Sequence, residues 1–151
     1  MNLQKLISVL AKQEQNIKNL FKIGLDKKEV LVNNNYDKLN EIISIEEQKL
    51  LSIQLTEENR LKLMRDLFIE FNINHTRYKL EILVENLKGK IDNQILSKIS
   101  FYENKITKLI SGVNAVNSLN MMLIQQSRNL IHETIQAVIN SDSRSILDRK
   151  G

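Results

Sequence analysis

SGVNAVNSLNMMLIQQSRNLIHETIQAVIN, residues 111–140, is the stretch on which the reading of this chain turns. From Leu109 through Ser127 it carries no charged residue, although Lys, Arg, Asp and Glu make up 26% of the protein. A membrane span is not the explanation. Asn114, Asn117, Asn120, Gln125, Gln126 and Ser127 would each need a polar partner in hydrocarbon, and a spanning helix needs about 20 mostly apolar residues. At helical spacing Asn120, Leu123, Ile124, Ser127, Leu130, Ile131, Thr134, Ile135 and Val138 share one side, a stripe wider than a coiled-coil seam. Such a face buries partly against the protein's own helices and partly against another protein.

Outward from that stretch, the composition is that of long helices with few tight turns. Proline is absent, glycine occurs four times and aromatic residues make up 5% of the 151 residues. Toward the N-terminus, Leu3, Leu10, Ile17, Gly24 and Leu31 recur every seven residues, with Leu6, Ile7, Leu20 and Phe21 beside them. This predicts a first helix over 2–32. Gly24 costs about 1 kcal/mol relative to Ala inside a helix. On the seam it marks either a close helix crossing or a tolerated weak point.

Asn33, Asn34 and Asn35 interrupt the pattern, and asparagine suits helix ends because it tolerates left-handed geometry and caps free N–H groups. A second helix is expected over 36–71, its seam running through Tyr36, Leu39, Ile43, Leu50, Ile53, Met64, Leu67 and Phe71. Two long helices joined by a short turn form an antiparallel hairpin. A shorter helix is expected over 76–88, ended by Gly89, and the last over 91–140, with Gly112 the expected place for a bend. The tail, 141–151, is too poor in apolar residues to fold alone and is expected to be disordered, with Ile146 and Leu147 an isolated apolar pair. The fold class is all-α: one domain over 1–140, an elongated antiparallel helical hairpin or bundle with coiled-coil-like packing.

Several functions are disfavoured. Cysteine is absent, and the two histidines, His75 and His132, stand far apart with no ligand at helical spacing, so neither a metal nor another cofactor is expected. No phosphate-cradling loop and no nucleophile cluster is present, so the chain does not read as an enzyme. The net charge of +4 is spread rather than patterned: six basic and three acidic residues in 1–35, five and eight in 36–72, eleven and seven in 73–151. Without a basic run interleaved with aromatics, nucleic acid is not the expected partner. The beginning MNLQKLISVLAKQ lacks a signal-peptide pattern, which predicts a cytoplasmic protein.

The order of these features resembles a known family. A long first helix, a turn leading into YDKLNEIISIEEQKLLSIQLTEENR with Glu57 and Arg60 near its end, and the N-x-x-N-x-x-L-I pattern of Asn117, Asn120, Leu123 and Ile124 are similar to the FlgN-type flagellar export chaperones. The resemblance covers about residues 3–140. It implies a small cytoplasmic helical chaperone of the flagellar type III export system. Such a protein binds the C-terminal helical segments of hook-filament junction proteins through its last helix and delivers them to the export gate. The client surface it implies comprises Asn117, Asn120, Met121, Leu123, Ile124, Ser127, Leu130, Ile131 and Ile135. Met121 and Met122 would adapt to more than one client helix. A C-terminal tyrosine that helps some members dock on the gate has no counterpart after Tyr102, and Ile146 and Leu147 are the substitutes. The alternative is a structural or adaptor coiled coil that self-associates through the same stripe. A membrane-surface helix ranks below both, because 111–140 offers Arg128 as its single Lys or Arg. The chaperone reading expects a monomer or weak dimer; the adaptor reading expects a stable dimer.

Overall fold

The computed structural model describes residues 2–150; of 127, 128 and 139–150 it describes the backbone alone. Among these residues 87% of the chain is helical and no strand occurs. The helices are α1 (Asn2–Val32), α2 (Tyr36–Glu70), α3 (Leu80–Leu87) and α4 (Asn93–Lys150).

The asparagine turn works as its chemistry dictates. Asn34 takes the left-handed conformation, φ 54°. The Asn35 N–H then reaches back to the Val30 carbonyl at 3.1 Å and the Asn34 N–H to Leu31 at 3.2 Å, closing the end of α1. Asn35 also opens α2, its side-chain oxygen accepting from the Lys38 N–H at 3.3 Å. The same device ends α2 at Asn72, φ 54°, where the Ile73 N–H bonds the Phe68 carbonyl at 2.8 Å and the Ile73 side chain turns onto the core. Gly89, at φ 79°, lies in the turn after α3, and Asp92 opens α4 by accepting from the Gln94 N–H at 3.0 Å.

Two boundaries differ from the sequence reading. Residues 76–79 are not helical, and α3 begins at Leu80 after an extended Lys79. Tyr78 holds this connector against α2: its ring meets Phe68 edge-on at 5.1 Å, and the Arg65 guanidinium lies over it at 5.9 Å. At the other end α4 continues across 141–150, which the sequence reading leaves as a disordered tail. A helix already nucleated adds one bond per residue, and no proline or glycine lies between 113 and 150 to stop it. It also runs unbroken through Gly112.

The apolar core gathers at one end of the molecule. Leu6 and Leu10 of α1, Met64 and Leu67 of α2, Leu83 and Leu87 of α3 and Ile99 of α4 are fully buried there. Fully burying each such side chain contributes about 1.5–3 kcal/mol before entropy is set against it. Away from this head, α1 becomes a spine. α2 packs antiparallel along one side of it and α4 parallel along another, with little contact between α2 and α4. The α1–α2 contact there is partly polar: Gln13 Nε2 donates to the Ile53 carbonyl at 3.1 Å and Asn16 Nδ2 to Thr56 Oγ1 at 3.3 Å. Nearer the turn, Lys27 pairs with Glu46 at 3.1 Å.

Candidate protein-binding surface

The placement of α4 depends on two glycines. A Cβ added at Gly112 would stand 2.9 Å from the Phe21 ring, and one at Gly24 would stand 3.0 Å from Val116 Cγ1. Neither neighbour leaves room for a methyl group, so Gly24 marks a close crossing and Gly112 serves packing within a continuous helix. Just beyond, Asn120 is buried and its Nδ2 donates to the Gly24 carbonyl at 2.9 Å, while its Oδ1 has no partner. Lys105 Nζ lies 3.1 Å from Glu14 Oε1, close enough for charge attraction though off the axis of a hydrogen bond. These contacts fix the rotation and register of α4 on α1.

With that rotation set, one line of α4 faces inward along its length. Leu96, Ile99, Ile106, Val113, Val116 and Asn120 follow one another at spacings of three, four and seven residues, packed against or toward α1. Leu123 and Ile124 continue the line, half-buried, and with Leu31, Tyr36, Leu39 and Leu130 they border a cleft of about 650 Å³ at the hairpin tip. Past this point α1 and α2 have ended and α4 has not. About 20 further residues, roughly 30 Å of helix, run beyond the tip. At the mouth of the cleft Leu130 is 65% exposed and Ile131 53%, and beyond it the inward line persists uncovered at Ile135, 49% exposed, and Val138, 55%.

The residues singled out from sequence therefore fall into distinct settings. Leu130, Ile131 and Ile135 form an uncovered apolar stripe, and Leu123 and Ile124 link it to the hairpin tip. Ile124 already packs at home, so a charge placed there would disturb the fold as well as any partner. Asn120 is turned into the protein and its amide is committed to α1; Asn117, three residues earlier, is exposed. Met121 and Met122 are exposed, 63% and 58%. Gln125 bonds its neighbour Asn129 at 2.9 Å. The Ser127, Ile146 and Leu147 side chains lie outside the described residues. The sequence reading missed the tip residues Leu31, Val32 and Tyr36, which border the same cleft. Their signal was present in the asparagine turn, but seeing it requires the long-range register of α4 on α1.

Among the described residues, no group of three or more His, Cys, Asp or Glu side chains is placed to hold a metal ion, and no helix is long and apolar enough to cross a membrane. Glu57 and Arg60 form a two-point ion pair, 2.6 and 2.9 Å, on α2. Burial first, and the nearby Glu81 carboxylate second, raise the pKa of Glu103 above the usual glutamate value. The family model described as FlgN protein matches residues 1–147. No curated protein and no solved structure matches the chain significantly.

Proposed function

Since the chain belongs to the FlgN family, whose members are chaperones of flagellar export, we propose that it binds the C-terminal helical segments of hook-filament junction proteins through α4 and brings them to the flagellar type III export gate. The observation that carries this reading is the inward line of α4, which outlasts the hairpin that covers it. Leu130, Ile131, Ile135 and Val138 have the spacing of a helix-packing face and no helix packed on them. A client helix laid there buries apolar area on both partners and is kept from assembling elsewhere. Its site of action is the cytoplasm, where clients are collected before export. Met121 borders the stripe and adjusts to different client side chains. Ile146 and Leu147 remain the proposed contact with the export gate.

The test is titration calorimetry and light scattering with the C-terminal fragment of a hook-filament junction protein from the same organism. The wild-type chain should form a defined complex. The double variant Ile131→Asp, Ile135→Asp should lose it while keeping the wild-type circular dichroism, because both side chains are about half exposed. A chain truncated after Asn140 should still bind the fragment but fail in a pull-down with the gate's cytoplasmic domain. A stable homodimer indifferent to the fragment would instead assign the stripe to self-association, the adaptor coiled-coil alternative.

A further inference from the structure

Between α2 and α4, where each leans on α1 and hardly touches the other, the molecule leaves a cleft of about 600 Å³. Ile17 and Leu20 of α1 lie on its floor, Leu50 and Ile53 of α2 on one wall, Ile106 and Ile110 of α4 on the other. Leu50 and Ile110 are 47% and 44% exposed, large apolar side chains facing an empty slot. Helices pack with axes about 8–10 Å apart, so a site with three helices and an open apolar side is a four-helix bundle lacking one member.

The slot continues toward the hairpin tip. A smaller cleft lined by Leu20, Gly24, Leu50 and Val116 adjoins it, and the tip cleft follows, leading onto the exposed stripe. Along this course α4 presents no charge from Leu109 to Gln126. At the head end the chemistry changes. Glu81 and Glu103 border the slot there, their carboxylates without a hydrogen bond or ion pair among the described residues and near enough to repel one another. Lys79 borders it too, and Glu57 and Arg60 are occupied with each other.

We infer that this slot seats an amphipathic helix of the bound client as the fourth member of the bundle, apolar face toward α1, with a Lys or Arg of that helix at Glu81 and Glu103. The inference rests on the client-binding reading above and extends its site from the projecting stripe down to the head, from about Glu103 to Val138. That is a run of about 35 residues, or roughly 50 Å of helix. The cation completes the two carboxylates.

The chain has no cysteine, so one introduced thiol labels one place. The full-length Ile110→Cys protein, carrying an environment-sensitive fluorophore, should shift to the blue when the hook-filament junction fragment is added. Lys108→Cys, exposed and outside the slot, should not shift. Leu50→Asp with Ile110→Asp should weaken fragment binding by about tenfold or more, as loss of a central contact does. Glu81→Gln with Glu103→Gln should weaken it severalfold and flatten its dependence on salt. The label reports even where the aspartate variants melt early. If the slot variants bind as wild type and the label stays silent, while Ile131→Asp with Ile135→Asp still abolishes binding, the slot is not the seat and the projecting stripe alone captures the client. If the wild-type chain does not bind the fragment, both readings fall. A blue label in a homodimer without fragment overturns the inference in favour of a second copy of this chain.

Discussion

Gly24→Ala should destabilise the protein in the wild-type background and stabilise it once Val116 has been shortened. A methyl group at Gly24 would stand 3.0 Å from Val116 Cγ1, whereas relaxed carbon contacts lie at about 3.5–4.0 Å, so the helices must part by roughly 0.5 Å. Val116 cannot swing aside, because a β-branched side chain in a helix has one strongly preferred rotamer. Overpacking of this kind costs about 1–3 kcal/mol. Parting the helices also stretches the 2.9 Å bond from Asn120 to the Gly24 carbonyl, worth about 1 kcal/mol when intact. Against this, replacing a mid-helix glycine by alanine returns about 1 kcal/mol. The balance is a loss of about 1–3 kcal/mol. With Val116→Ala the Cγ1 atom is gone and the remaining Cβ stands at 3.7 Å, an ordinary contact, so the same change should gain up to about 1 kcal/mol. Urea unfolding followed by circular dichroism, with unchanged slopes to certify two-state behaviour, measures all four corners of this cycle. A gain of equal size in both backgrounds would refute the close crossing and the register of α4 built on it.

Two further outcomes follow from burial and charge. Leu83→Ala, in the fully buried head, should cost about 2–5 kcal/mol, whereas Ile135→Ala, on the projecting part of α4, should change stability by no more than about 0.5 kcal/mol in the same urea assay. Glu103 has a folded pKa raised above its unfolded one, so its contribution to stability is fully present below the unfolded value and is lost as pH rises through the folded one. Glu103→Gln should therefore melt higher than wild type near neutral pH, with the gap closing toward about pH 4; a lower melting point at neutral pH would sink this account.

Much of the fold was legible because it is local. The heptad positions Leu3, Leu6 and Leu10 and the three asparagines announce α1, the turn and α2 within a few residues of themselves, and Schellman-type bonding at Asn34 needs no distant partner. The polar stretch of α1 was not legible. A single seam describes one buried face, but α1 has two neighbours, so Gln13 and Asn16 are buried toward α2 while Glu14 meets Lys105 of α4. The stretch 76–79 misled for a similar reason: its helical spacing is overridden by Tyr78 docking on Phe68. Asn120 looked like a residue for a partner because uncharged polar side chains on a helix carry no sign of where they point. What turns it inward is the Gly24 carbonyl, which its Nδ2 reaches at 2.9 Å.

The spine arrangement has a consequence for how this sequence is free to change. Since α2 and α4 hardly meet away from the head, substitutions on their separate faces there should combine additively, and those stretches of the two helices can drift under different selective pressures with little epistasis between them. Residues of α1 have no such freedom. A change at Phe21 or Gly24 is felt by α4 at once, and one at Gln13 or Lys27 by α2, so the first helix is where a history of compensating pairs should be written.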